Sequence, residues 1–183
     1  MKVLLIHGHN GRPNGGWRPW LMAELEQRNI YAHALAMPKP ENPKVGTWIA
    51  EILKNTDPDE PYFLVGHSLG ANVILHYLAV TFDRPAGVIL VSCPIRKVDG
   101  KGCGNFLERE FDFDFLHNRV PSCVIHGTND PDVPFSHAEE LSAKLGGKLV
   151  PIENGGHLNG HSGHYTLPEC LDELREMIRR TVV

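Results

Sequence analysis

The sequence predicts a three-layer α/β/α sandwich built on a mostly parallel sheet of about six strands. The first observation is a set of short apolar runs spaced along the chain: "KVLLIHG", "IYAHALAMP", "YFLVGHS", "AGVILVS", "PSCVIHG" and "KLVPIEN". The second is their texture. They are near-continuous in Val, Ile and Leu, without the apolar/polar alternation of a half-solvated strand, so both faces of each strand are covered. The third is that stretches with helical spacing lie between them, and strand alternating with helix is how a parallel sheet makes its crossovers.

In chain order, "MKVLLIHGHNG" opens with a buried strand whose apolar stretch is too short for a signal peptide. A glycine-rich loop follows, then a helix over 17–29. The second run leads to a helix over 45–55, and the third runs directly into "LGANVILHYLA", a helix over 69–81. A helix over 135–145 separates the fifth and sixth runs. The last helix, about 168–181, places Leu171, Leu174 and Ile178 on one stripe with Glu and Arg opposite, and has Pro168 near its start. One interval breaks the rhythm: "CPIRKVDGKGCGNFLEREFDFDFLHNR", residues 93–119. It reads as a long surface loop anchored to the core by Phe111, Phe113 and Phe115, or as a small lid over a site.

A chain of 183 residues suits one domain, 1–183, that removes roughly 70% of its unfolded surface from water. The net charge of −4 and the scattered Lys and Arg provide no basic stripe for phosphates, which argues against nucleic acid as a partner. No apolar run approaches the ~20 residues of a membrane span. Cys93, Cys103, Cys123 and Cys170 are irregularly spaced and form no C-x-x-C pair, as expected of reduced thiols in a cytoplasmic protein.

"GHSLG" sets Ser68 between Gly66 and Gly70, where an apolar strand ends and a helical run with small residues begins. A nucleophile elbow needs that arrangement, because the turn is so tight that side chains at the two glycines would meet the neighbouring strand and helix. A serine hydroxyl is a poor nucleophile at neutral pH. It needs a histidine to take its proton and an acid to orient that histidine, arriving in the order Ser, Asp, His on loops after later strands. "HGTNDPDVP" and "ENGGHLNGH" follow the fifth and sixth runs.

These motifs, in this order, resemble the α/β-hydrolase superfamily. "IHGHNGRPNGGWRPWL", "GHLNGHSGHYTLPE" and the short chain resemble, more narrowly, the small serine hydrolases related to retinoblastoma-binding protein 9. The resemblance spans essentially the whole chain and implies a compact α/β-hydrolase fold with strand order 2-1-3-4-5-6. It implies Ser68 as nucleophile, Asp130 as orienting acid and His157 as general base. Asp132, two residues on in the same turn, is the rival acid, and His161 and His164 are the rival bases. His67 adjoins the serine, yet adjacency in sequence does not bring its imidazole to that hydroxyl.

The oxyanion hole needs two backbone N–H groups, one from Leu69 and one from the first-strand loop, at His9 or alternatively Asn10. Trp17 and Trp20 are candidates for the apolar wall of a substrate pocket, or for core packing of the first helix. The spacing of His157, His161 and His164 invites comparison with a zinc site, but a glycine-rich loop does not present histidines on one helical face, and no metal is expected. No phosphate-binding glycine motif is present, and no cofactor is implied. The expected activity is hydrolysis of an ester, thioester or amide by way of an acyl-enzyme, in the first place as a small-acyl carboxylesterase acting on a small-molecule acyl substrate. The competing classes are acyl transfer to an acceptor other than water, and a protein-binding module on a retained hydrolase scaffold.

Overall fold

In the computed structural model, which describes residues 1–98 and 103–181, six strands form one sheet. They are β1 (Lys2–Ile6), β2 (Tyr31–Leu35), β3 (Tyr62–His67), β4 (Gly87–Val91), β5 (Ser122–Gly127) and β6 (Lys148–Ile152), all parallel, in the order β2-β1-β3-β4-β5-β6. The helices are α1 (Arg18–Glu26), α2 (Val45–Asn55), α3 (Leu69–Val80), α4 (Phe113–Leu116), α5 (Ser136–Leu145) and α6 (Pro168–Thr181). Five of the six fall where the periodicity places them. The four-residue α4 was not foreseen, since one helical turn leaves no periodic signal.

The continuous apolar runs have a plain cause. Successive side chains of a strand point to opposite faces, and in the central strands β1, β3, β4 and β5 both faces are buried, while the edge strands β2 and β6 stay partly exposed. Leu4, Ile6, Leu64, Val88, Leu90 and Val124 join one core, with Trp48 and Ile52 of α2, the apolar residues of α3, and Leu141 and Leu145 of α5. Val3, Leu5, Phe63, Val65, Ile89 and Ile125 join the other, with Leu21 and Leu25 of α1 and Leu171 and Leu174 of α6. Ile178, on the expected stripe of the last helix, packs at the margin of that second core.

The central helix α3 is buried along nearly its whole length, and its polar groups are used for tying. Asn72 Nδ2 donates to the carbonyl of Pro94 at 2.8 Å, and His76 Nε2 donates to that of Phe106 at 2.8 Å. Both carbonyls belong to the 93–119 segment, of which residues 99–102 lie outside the described residues. Phe106 is fully buried and meets Trp48 edge-on at 5.1 Å between ring centroids. Phe111 and Phe113 also pack on the core, as expected. Phe115 does not. The turn of α4 replaces the period-two pattern of "FDFDF" with helical spacing, so Leu116 points inward while Phe115 stays 46% exposed, with the Arg119 guanidinium carbon 4.4 Å from its ring centroid.

The start of α3 is pressed against the end of β1. A Cβ at Gly70 would collide with the backbone carbonyl of Ile6, so helix and strand approach as closely as backbone permits. Gly70→Ala is therefore expected to lower the unfolding free energy by about 1–3 kcal/mol, despite the ~1 kcal/mol that alanine otherwise gives a helix. Gly46 in α2 has open space where its Cβ would be, and Gly46→Ala should raise stability by about 0.4–1 kcal/mol. Urea denaturation of the two variants, with opposite signs, checks this reading.

Candidate active site

The parallel register brings the carboxyl ends of the strands together, with Ile6 of β1 beside Gly66 of β3, and His67 beside Val91 of β4. Loops leaving these ends form a cavity of about 830 Å³. Gly8, His9, Trp17, Ser68, Leu69 and His157 are among the residues that line it.

Ser68 stands between β3 and α3 at φ 56° and ψ −121°, a conformation that costs a non-glycine residue of order 1–3 kcal/mol. It is held there from all sides. A Cβ at Gly66 would strike the carbonyl of Gly70, and one at Gly8 would lie 2.8 Å from Ser68 Cβ and 3.3 Å from Oγ. The Ser68 amide donates to the carbonyl of Val91 at 2.8 Å. The Leu69 N–H belongs to the first helical residue, where no intrahelical acceptor exists. In the first-strand loop the Asn10 N–H is committed to the carbonyl of Pro40 at 2.8 Å, so Asn10 cannot serve as an oxyanion donor without breaking that bond. The His9 N–H has no partner among the described residues and directly follows Gly8, which touches the serine.

His157 and Asp130 meet across the ends of β5 and β6. His157 Nδ1 donates to Asp130 Oδ2 at 2.8 Å, while Asp130 Oδ1 accepts the backbone N–H groups of Asp132 (2.8 Å) and Val133 (3.0 Å). Burial works to raise the carboxyl's pKa. The hydrogen bond and charge of His157 and the two amides outweigh it and hold Asp130 below the usual carboxylate range. Asp132 lines the cavity, but the imidazole is bonded to Asp130. Neither His157 Nε2 nor Ser68 Oγ has a hydrogen-bond partner among the described residues, and both residues line the cavity.

The loop carrying His157 is tied at several atoms. Gly156 N–H donates to Asn129 Oδ1 (2.7 Å), His157 N–H to Ser162 Oγ (3.1 Å), His67 Nε2–H to the carbonyl of His157 (2.8 Å) and Trp17 Nε1–H to that of Leu158 (2.9 Å). Leu158, fully buried, is kept at φ 48°. Burial, followed by the neighbouring His157, lowers the His67 pKa to about 3. His67 is thus a neutral brace whose ring meets that of His157 edge-on at 4.9 Å. These tethers were not foreseen, since a contact across 90 or 141 positions leaves no local pattern.

Of the two tryptophans proposed for a pocket wall, Trp17 lines the cavity. Trp20 does not, because it lies within α1, whose inward stripe faces the second core, and it packs there. His161 lines the cavity's rim and His164 does not. The three loop histidines form no ligand set; among the described residues, the group whose ligand atoms lie within 4.8 Å of one another is Asp130, Asp132 and His157. Within it, the His157 Nδ1 and Asp130 Oδ2 atoms are engaged with each other.

The serine hydrolase family matches residues 3–176. The chain belongs to the serine hydrolase family. It is 30% identical to the YdeN protein of Bacillus subtilis (strain 168) over 178 residues, covering 94% of each chain. It is 24% identical to the serine hydrolase RBBP9 of Rattus norvegicus, covering 89% of this chain and 90% of that one. The crystal structure of the B. subtilis ydeN gene product superposes with a TM-score of 0.89 at 27% identity, covering 97% of this chain and 98% of that one. Est1E from Butyrivibrio proteoclasticus, in a structure with ferulic acid bound, shares the fold with a TM-score of 0.75 at 19% identity, covering 100% and 90%. The protein is therefore a hydrolase of the α/β-hydrolase fold, and no described helix is long and apolar enough to cross a membrane.

The buried neutral brace has a pH consequence. His67 ordinarily titrates at 6.5, and its folded value is lower, so the unfolded chain binds the extra proton. Its contribution is complete above about pH 6.5 and is lost as pH falls towards 3. At pH 5 the loss should be ~2 kcal/mol, and burial lowers His7, His76, His126 and His137 in the same direction. His67→Gln keeps an N–H donor for the His157 carbonyl and removes the titration. Urea unfolding at pH 8 and pH 5 should show a smaller acid-induced loss in the variant than in the parent.

Proposed function

We propose that the protein hydrolyses a carboxylic ester through a Ser68–His157–Asp130 triad, with small acyl groups as the first substrates to try; thioesters and amides share the chemistry. The observation that carries this reading is the 2.8 Å His157–Asp130 bond beside a cavity that also contains a serine in strained elbow geometry.

In the forward step, Ser68 Oγ attacks the carbonyl carbon while its proton passes to His157 Nε2, the ring edge opposite the nitrogen bonded to Asp130. The negative charge on the carbonyl oxygen is met by the N–H groups of Leu69 and His9. The imidazolium then gives its proton to the leaving alcohol, producing an acyl-enzyme. Water, deprotonated by the same nitrogen, releases the acid. Asp130 stays ionised throughout, fixing the tautomer and favouring the imidazolium. The tethers on His67 and Trp17 hold the base loop, so little reorganisation accompanies each proton transfer.

We further propose that 1–183 acts as one catalytic domain in the cytoplasm, with the 93–119 segment as a cover on one side of the cavity. Val98 and Cys103 lining the cavity support the cover, and the buried thiols of Cys93, Cys123 and Cys170 suit a reducing setting.

A fluorophosphonate probe tests the triad. The native protein should be labelled at Ser68, with no label in Ser68→Ala and nearly none in His157→Ala. Asp130→Asn should lower kcat for 4-nitrophenyl butyrate by about 10³–10⁴-fold. Native protein that folds but takes up no probe would favour a binding role on a hydrolase scaffold. Ester products formed with added alcohols would point to acyl transfer.

A further inference from the structure

Among the described residues, Arg18 is the one lysine or arginine that is buried, at 6% exposure, and it lines the same cavity as Ser68 and His157. Removing a guanidinium from water costs several kcal/mol unless an anion or a full set of acceptors replaces its hydration. The replacement is incomplete. Nη2 donates to the carbonyl of Arg12 at 3.0 Å, Nε is buried with no acceptor, and no carboxylate among the described residues pairs with the charge.

The surroundings offset little of this cost. Arg18 is the first residue of α1, which has no acidic residue in its first turn, so the cation stands at the helix end that already favours anions. The Trp17 ring, 5.8 Å from the guanidinium carbon, supplies a cation–π contact worth roughly 0.5–2 kcal/mol. Burial lowers the Arg18 pKa to about 10, which leaves it charged at neutral pH. The charge also bears on His7 and His67, the residues just before Gly8 and Ser68, so it is felt at the edge of the reacting centre. The group is held ready by its loop: besides the Arg12 carbonyl, a Cβ at Gly15 would lie 2.9 Å from Nη2. Arg12 itself lines the same cavity.

We propose that Arg18 is a specificity-determining residue and that the substrate is an ester carrying a carboxylate, such as a half-ester of a dicarboxylic acid, whose charge pairs with this guanidinium. The inference rests on the hydrolase reading above and adds the substrate class. A neutral ester leaves the buried cation uncompensated, whereas a carboxylate supplies the missing charge and acceptors at a site already formed.

Two matched pairs test it. On the acyl side, 4-nitrophenyl hemiglutarate is compared with 4-nitrophenyl valerate; on the alcohol side, 4-acetoxybenzoate is compared with its methyl ester. The native enzyme should prefer the anionic member of at least one pair by tenfold or more in kcat/KM. Arg18→Met should reduce that preference at least tenfold, and Arg18→Lys should retain part of it. In the native protein, which needs no variant to fold, glutarate should protect Ser68 from the fluorophosphonate at lower concentration than glutaramide does. Neutral esters turning over with no charge preference, a preference that survives Arg18→Met, or an equal loss on both members of a pair would overturn the assignment. Failure of the parent reading looks different: no ester of either charge reacts and Ser68 takes up no probe, which removes both proposals.

Discussion

The site depends on one close approach, where the amino end of α3 is pressed onto the carboxyl end of β1 with no side chains between them. Gly70 permits it, since a Cβ there would strike the carbonyl of Ile6, and Gly66 lets the same end of α3 fold back on β3, where a Cβ would strike the carbonyl of Gly70. The consequence is that Ser68, caught between strand and helix, has no relaxed conformation available and sits at φ 56°. The strain is tolerated because the surrounding elements are fixed by two cores, one on each face of the sheet. Local backbone cost at Ser68 is thus offset by apolar burial distributed over the whole domain, and in return the hydroxyl lies at the edge of the cavity beside the first-strand loop.

The same logic governs His157, the proposed base. His157 sits on a loop without regular structure, yet hydrogen bonds donated by Trp17 and His67, and bonds that the loop donates to Asn129 and Ser162, fix the loop around it. One of these tethers comes from His67, the residue just before Ser68, so the turn at Ser68 and the His157 loop are braced against each other. Movement of either would disturb both. This mutual bracing accounts for a buried neutral histidine at position 67, which would otherwise be an expensive residue at that depth.

The layers of the fold were legible in the sequence because the central strands are buried on both faces and so carry a continuous apolar signature, and because the longer helices show their inward stripe. The candidate polar residues of the site were marked by local context, with "GHSLG" at a strand-to-helix junction and acid and histidine after the fifth and sixth runs, while the choice of Asp130 over Asp132 and of His157 over its rivals came from the family resemblance. What could not be read is set by contacts far apart in the chain or by single turns. Phe115 was misjudged because one turn of helix cancels the alternation of "FDFDF". Asn10 was the alternative to His9, and only the fold shows its amide committed to the carbonyl of Pro40. Trp20 looked equivalent to Trp17 three positions earlier, but only the latter precedes the helix and reaches the cavity. Arg18 gave no sign at all, since nothing local marks a cation that will be buried.

The most direct measurement of the central claim is a crystal structure of the protein after reaction with a small phosphonate ester. Phosphorus should be bonded to Ser68 Oγ, the phosphoryl oxygen should lie within hydrogen-bond distance of the Leu69 and His9 amides, and His157 Nε2 should face the adduct with its Asp130 bond intact. An adduct on another residue, or a phosphoryl oxygen directed away from both amides with His157 swung out of reach, would contradict it.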